Sequence, residues 1–346
     1  MRTLSFIIVM SCLLLPANVL FDSFSFSFSL FLCQNPPAGR EDSLTVVFWN
    51  LENFFDWKAD SLSESPSDKE FSSFGKKHWT RKRFRAKCEA VAKAFLWIKD
   101  KEGNLPDVIG LAEVENRFVL KRLLSDTQLY KFDYEIVHYD SPDPRGIDVA
   151  LLYRRSRLKP LSSAPLRVRG PDSTMRTRDI LLAEFLLPCG DSIAFLVNHH
   201  PSKYGGKTGR KREVALHRLR DAADSLEASG FMNILAMGDF NDVPENPAFG
   251  ILTEAGRGTL VNLAVPLSAA GEGTIRYSGR WDMIDMFFAS SALVRNGHIH
   301  KMEILRIPFL MSWDSAHSGE KPLRTYSGPR YIGGVSDHCP IMVKIE

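Results

Sequence analysis

Two short acidic motifs stand at the ends of apolar runs in this chain and limit what it can fold into. They are Ile234-Leu235-Ala236-Met237-Gly238-Asp239-Phe240-Asn241-Asp242 and, near the C-terminus, Gly334-Val335-Ser336-Asp337-His338-Cys339-Pro340-Ile341. Each run reads as a buried strand that delivers carboxylate, amide or imidazole groups at its end. Side chains alternate across a strand, so Asp239 and Asn241 are expected on one face and Phe240 in the core.

Other segments repeat the pattern. Val46-Val47-Phe48-Trp49-Asn50 ends on an amide, Val108-Ile109-Gly110-Leu111-Ala112-Glu113 on a carboxylate, and Ile193-Ala194-Phe195-Leu196-Val197-Asn198-His199-His200 on an amide and imidazoles. Trp281-Asp282-Met283-Ile284-Asp285-Met286-Phe287-Phe288 sets Asp285 inside an apolar strand pattern, with Asp282 as its competitor on the opposite face. Buried charge is costly unless paired or bound to metal. One shared site is the economical explanation for so many polar groups at apolar strand ends.

This ordered set of motifs resembles the endonuclease/exonuclease/phosphatase superfamily, over the region from about Ser43 to Glu346. Within it the chain is similar to the predicted secreted bacterial nucleases. The segments that carry this likeness are Phe48-Trp49-Asn50-Leu51-Glu52-Asn53-Phe54-Phe55-Asp56, Ala112-Glu113-Val114-Glu115-Asn116, Arg145-Gly146-Ile147-Asp148-Val149-Ala150-Leu151-Leu152-Tyr153 and Asn198-His199-His200-Pro201-Ser202-Lys203. The resemblance implies an α/β fold, a four-layered sandwich of the deoxyribonuclease I kind, with two mixed β-sheets packed face to face and flanked by helices. The site would lie at one end of the sheets.

The resemblance also implies roles. Asn50 and Glu113 would hold a divalent cation, Mg²⁺ with Mn²⁺ as the substitute, in an all-oxygen setting that suits a hard ion. Asp337 would be a metal-side or network carboxylate. Asp239 and Asn241 would orient the attacking water, with Asp239 as base. His338 would stand beside the scissile phosphate with Asp285 fixing its tautomer, and His199 would donate to a phosphate oxygen. Cleavage of an anionic ester needs charge neutralisation, an in-line water and help for the leaving oxygen, and this inventory supplies them.

Arg145 and Lys203 are the candidates for substrate phosphate contacts, Lys203 as the start of a basic run with Lys207, Arg210, Lys211 and Arg212. Asp148 either orients a site group or pairs with a nearby arginine. Asp242, before Val243-Pro244, reads as a turn acid, and His200 is expected to face away from the site. His138, His217, His298, His300 and His317 read as surface or structural. The loop from Pro308 to Gly334 mixes basic and aromatic residues and either binds nucleic acid or is simply solvated.

A net charge of +3 over 346 residues excludes a uniformly basic nucleic-acid binder but permits local basic faces, one of them Arg167 to Arg178. The apolar stretch after Met1-Arg2, from Leu4 to Leu20, reads as an export signal, which places residues 1–42 as leader and linker and 43–346 as one catalytic domain. The expected location is periplasmic or extracellular; lipid anchoring and an uncleaved membrane anchor stay open. Widely spaced cysteines argue against a disulfide framework, and Cys339, beside His338, is expected to expose the site to thiol reagents.

A helix is predicted from the Thr80 cap, with Phe84, Cys88, Val91, Phe95 and Ile98 as its apolar stripe and its basic residues solvated. A second is predicted from about Arg212 to Leu226. Asp56 to Trp79 reads as a polar surface excursion. The expectation is therefore a monomeric, exported, metal-dependent phosphodiesterase acting on nucleic acid, with no obligate protein partner. The alternative is a phosphatase or phosphodiesterase for small phosphate esters or phospholipid headgroups.

Overall fold

The computed structural model describes residues 43–58, 69–170, 175–203, 208–295, 298–299 and 301–346. The proposed leader and linker (1–42), His300 and Lys207 lie outside the described residues. Among those described, no helix is long and apolar enough to cross a membrane.

In chain order, β1 (Leu44–Phe54), β2 (Val108–Val114), β3 (Tyr134–His138) and β4 (Asp148–Arg154) begin one sheet, and β5 (Lys159–Leu166), β6 (Ile180–Leu186), β7 (Ser192–His199), β8 (Asn233–Asp239) and β9 (Leu260–Asn262) begin another. A ribbon of β10 (Ile275–Tyr277) and β11 (Arg280–Asp282) leads to β12 (Asp285–Ser290), which returns to the second sheet. β13 (Glu303–Ile304) and, after the ribbons β14 (Met311–Trp313) with β15 (Glu320–Pro322) and β16 (Tyr326–Ser327) with β17 (Arg330–Tyr331), β18 (Ile341–Ile345) complete the first. The strand orders are β13-β18-β1-β2-β4-β3 and β5-β6-β7-β8-β12-β9. Both sheets are mixed: β1 with β2 and β7 with β8 run parallel, the other pairs antiparallel. This is the expected architecture.

The layers follow from alternation. Val46 and Phe48 of β1 join the core between the sheets, whereas Val47, Trp49 and Leu51 join the core beneath the helix Arg81–Glu102. That helix starts at the Thr80 cap and buries Phe84, Cys88, Val91, Phe95 and Ile98, as its spacing predicts. The helix Gly209–Ala228, longer than expected at both ends, buries Leu216, Leu219 and Leu226 in the apolar cluster of the second sheet.

Other expectations are corrected. Lys87 is not solvated: only 2 % of it is exposed, and its Nζ donates to the Glu52 carbonyl at 2.6 Å and to Thr325 Oγ1 at 2.9 Å. Burial lowers its ammonium to about 8, against the raising charge of Glu52. The polar excursion is anchored, since Phe71 and Trp79 are buried and Trp79 Nε1 donates to the Phe55 carbonyl. Residues 59–68 of that stretch lie outside the described set. Cys88, Cys189 and Cys339 are free. Cys339 is a poor target for thiol reagents, because it is buried and burial pushes its thiol up to about 12.

Close approach of β7 and β8 needs Gly238, where a Cβ would lie 2.4 Å from the Asn198 carbonyl oxygen. At Gly110 the equivalent atom would meet Met237 Sδ, the flexible part of a side chain, at 2.7 Å. Gly238→Ala is expected to cost about 1–3 kcal/mol in chemical denaturation, and Gly110→Ala less. Equal costs would show that the strand spacing is not set at Gly238.

Candidate active site

The ends of β1, β2, β7 and β8 meet at one edge of the two sheets. Asn50 continues the inter-sheet face of Val46 and Phe48. Asp239 continues that of Met237, which reaches across to Gly110 of β2. The two therefore face each other across the seam, and Asn50 Nδ2 donates to Asp239 Oδ2 at 3.0 Å. His199, at the parallel register position beside Asp239, brings its Nε2 to 3.6 Å from Asp239 Oδ2 and 3.9 Å from Glu113 Oε1. Glu113 leaves the alternation of β2 at a register shift between Ala112 and Val114, with φ +58°. Its Oε2 accepts from Asn53 N at 2.8 Å and lies 3.3 Å from Arg145 Nη2.

On β12, the strand beside β8 in the same sheet, Asp285 stands in antiparallel register with Asp239. Its Oδ2 lies 2.8 Å from His338 Nδ1, leaving Nε2 facing Asp239 Oδ2 at 3.9 Å and Asp337 Oδ1 at 3.7 Å. The His338 backbone is fixed as well: its carbonyl accepts from Trp49 Nε1 at 2.9 Å, and its N–H donates to Ser336 Oγ at 3.0 Å. Ser336 Oγ in turn donates to the Asn50 carbonyl. Asp282 lies in the β10–β11 ribbon, outside this pairing.

Burial sets the electrostatics. It pushes Asp239 up to about 7, helped by the charge of Asp285 and opposed by His338 and the bonds from Asn241 and Asn50. It pushes His199 well below the usual imidazole range, reinforced by Arg178 and Arg145. His338 goes the other way: burial lowers it, but the charge and hydrogen bond of Asp285, with Asp337 and Asp239, outweigh burial and hold it well above the usual range. At neutral pH the site thus contains a neutral His199 and a cationic His338.

The remaining sequence candidates fall around this centre. Asn241 does not share a strand face with Asp239, because β8 ends at Asp239 and Asn241 sits at φ +52°. Its N–H donates to Asp239 Oδ1 and its Nδ2 to the His200 carbonyl, each at 2.9 Å. Phe240 is buried, as expected. Asp337 pairs with Arg324 Nη2 at 3.1 Å. Lys203 lies 2.7 Å from Asp242, which also takes Arg212 at 3.2 Å, so that basic run is partly neutralised at its base. Asp148 meets His138 and Ser141 rather than an arginine. His138 is buried, not on the surface, whereas His217 is exposed.

Sequence reasoning missed Arg178, Glu52 and Arg324 as parts of the centre. Arg178, read as part of a basic face, is buried, with Nε and Nη2 donating to the carbonyls of His199 and His200 at 3.1 and 2.7 Å and Nη1 to Asp143 at 2.9 Å. Glu52, at φ +46°, accepts from Arg324 Nε at 2.9 Å and Thr325 N at 3.1 Å. Burial and then the charge of Asp337 push it up to about 7.

The donor set fits a divalent cation. Glu113, Asp337 and Asn50 offer oxygen donors that suit a hard ion, whereas Asp239, Asp285 and His338, with atoms within 4.8 Å of one another, form a charge-paired, hydrogen-bonded group in which the cationic imidazole has no lone pair for a metal.

The model of the Endonuclease/Exonuclease/phosphatase family matches residues 45–346. No curated protein matches the chain. Solved structures share the fold. The human Nocturnin catalytic domain with bound sulfate anion is 18 % identical with TM-score 0.56, covering 89 % of this chain and 94 % of that one. A mannosyl-6-phosphatase of Bacteroides thetaiotaomicron is 16 % identical with TM-score 0.55, covering 87 % and 98 %. TDP2 of D. rerio, complexed with single strand DNA product, is 14 % identical with TM-score 0.54, covering 88 % and 99 %.

Two outcomes follow from this geometry. Asp285→Asn removes the main charge that raises His338, so its pKa falls, and the alkaline limb of kcat/KM against a chromogenic phosphodiester is expected to move to lower pH. An unmoved limb would mean that another group sets it. Arg178→Met removes the donor to the buried Asp143 carboxylate and to the His199 carbonyl, and leaves the His200 carbonyl with Asn241 Nδ2 alone. It is expected to cost about 3–5 kcal/mol, with part recovered in Arg178→Met/Asp143→Leu, both read by urea denaturation.

Proposed function

The chain belongs to the endonuclease/exonuclease/phosphatase family of metal-dependent phosphoric ester hydrolases, and we propose that it is an exported phosphodiesterase, an endonuclease cleaving DNA or RNA. Asn50, Glu113 and Asp337 would hold the divalent cation, Mg²⁺ or Mn²⁺, which supplies Lewis acidity at the phosphoryl oxygen. Asp239, pushed to about 7, has a proton affinity suited to taking the proton of an attacking water near neutrality. The Asn241 N–H and Asn50 Nδ2 hold its two oxygens in place. His338, kept cationic by Asp285, faces the developing negative charge, and neutral His199 presents Nε2 as a donor from the other side. Arg145 extends the positive edge beside Glu113.

The observation that carries the substrate reading is an open cleft of ≈ 530 Å³ beside this centre. Asn53 and Arg145 line its near side, and Lys77, Phe71, Arg324 and Tyr326 extend it. Arg145 and Arg324 are about half exposed at 46 % and 54 %. Arg145, Arg324 and Lys77 beside a phosphate-cleaving centre suit the phosphate backbone of an extended nucleic-acid strand, between the carboxylates of Glu52 and Glu70 and over Phe71 and Tyr326, which are buried as packing beneath the cleft. TDP2 in complex with single-strand DNA product carries such a ligand on this fold.

The second reading, small phosphate esters, is favoured by the pairing of Lys203 and Arg212 with Asp242, which removes part of a basic face. The apolar stretch from Leu4 to Leu20 supports export to the periplasm or beyond, ahead of a single catalytic domain over 43–346.

Supercoiled plasmid is expected to be nicked only with Mg²⁺ or Mn²⁺, and not by the Asp239→Ala/His338→Ala variant. Arg324→Ala is expected to raise KM for DNA about tenfold or more while changing turnover of bis(p-nitrophenyl) phosphate much less. Phosphate release from sugar phosphates without nicking would replace the nuclease reading by the second one.

A further inference from the structure

A second group of ligating side chains lies outside the catalytic centre, at the end of the β3–β4 hairpin. His138 closes β3 and Asp148 opens β4, with Asp140 in the connection. One ligand atom from each lies within 4.8 Å of the others.

His138 is 9 % exposed, and its Nε2 is buried without a hydrogen-bond partner. That nitrogen sits 3.3 Å from Asp148 Oδ2. The separation is long for a charge-assisted hydrogen bond, which closes to about 2.7–2.9 Å, and the alignment of one is missing. It equals the edge of a tetrahedron around an ion with bonds of about 2.0–2.1 Å, which is ~3.3 Å. By contrast, the His338–Asp285 pair closes to 2.8 Å as an ordinary hydrogen bond.

The other Asp148 oxygen is already oriented, accepting from Ser141 N at 2.9 Å and Ser141 Oγ at 2.5 Å. This leaves Oδ2 turned toward His138. Among the described residues no lysine or arginine pairs with Asp140 or Asp148. The nearby arginines serve other carboxylates: Arg167 takes Asp179 at 3.1 Å and Arg178 takes Asp143 at 2.9 Å. Asp140 is exposed and opens the group to solvent, so an ion has a way in.

We propose that His138, Asp140 and Asp148 form a second cation site, selective for a borderline transition metal such as Zn²⁺ over Mg²⁺. A buried imidazole with two carboxylates is an N/O set that suits Zn²⁺, whereas Mg²⁺ favours oxygen donors and retained water. The site clamps the two ends of the β3–β4 connection. That connection carries Asp143, which binds Arg178 and accepts from Arg145 N, and Arg145 itself, which reaches Glu113. Zinc there fixes the loop that presents Arg145 to the catalytic edge, and the inference does not depend on which phosphodiester is cleaved.

The test is a Zn²⁺ titration by calorimetry of the protein in excess Mg²⁺, which keeps the oxygen-rich centre occupied by its hard ion. His138→Gln is expected to bind one Zn²⁺ fewer per chain than wild type. Asp140→Asn, whose exposed side chain leaves folding intact, is expected to weaken that Zn²⁺ by more than the ~10-fold that loss of an outer-shell partner costs. Zn²⁺ should also raise the melting temperature of wild type but not of His138→Gln. If His138→Gln fails to fold, Asp140→Asn decides the question. Unchanged Zn²⁺ stoichiometry and affinity in the variants would overturn the site.

Discussion

A carboxylate buried between two sheets is the constraint around which this end of the molecule is built. Asp239 is 2 % exposed, and ionising it there is costly unless opposite charge or hydrogen-bond donors surround it. The strand ends around it supply those groups. Asn50 donates from β1, the Asn241 N–H closes the turn, and His338 faces it from the C-terminal strand region. Gly238, by lacking a Cβ, lets β7 lie close enough for His199 to join. The polar residues at these apolar strand ends are therefore tied to one another: remove the shared carboxylate and Asn50 loses its acceptor, while His338 loses one of its counter-charges.

The same residue type is driven in opposite directions by its surroundings. His199 and His338 are both buried near Asp239, and burial alone would keep both neutral. Asp285 changes the balance for His338 alone, because a carboxylate at hydrogen-bond distance favours the imidazolium more than burial disfavours it. His199 has no such partner on Nδ1, which is buried and unbonded, and it has Arg178 behind its carbonyl. A site that must both donate to phosphate oxygens and offset developing negative charge gains from this split. One face carries fixed positive charge, while the other stays neutral and does not repel a cation beside Glu113.

What could be read in the sequence was what strand geometry and side-chain chemistry determine locally. Asn50, Glu113, His199, Asp239, Asp285 and His338 each end or begin an apolar run, and a run of that kind has few places to put a polar group except a site. The structure brings these residues together. The failures are equally physical. Asn241 defeated simple alternation because the chain leaves the strand at Asp239 and turns into left-handed φ. Lys87, Arg178 and Arg324 carry no local signal. A lysine in a helix or an arginine before a strand looks solvated until tertiary contacts supply backbone carbonyls and a carboxylate.

Those unforeseen ions explain how loops can be held to a catalytic geometry that strands alone do not specify. Glu52, two residues past Asn50 in β1, binds Arg324 and the Thr325 N–H, and Arg324 in turn binds Asp337 beside His338. The C-terminal excursion is thereby tied to the end of β1. On the opposite side, Asp143 and Arg178 tie the β3–β4 connection to the carbonyls of His199 and His200. A mutation of Glu52, Asp143 or Arg178 would act on cleavage without touching the substrate, because each sets where a functional side chain stands. Where long loops determine which phosphate ester enters, such buried bridges let loop tips vary while the edge of the sheets stays fixed. The cleft between Arg145 and Arg324 is bounded by one loop from each bridge, so its width depends on both.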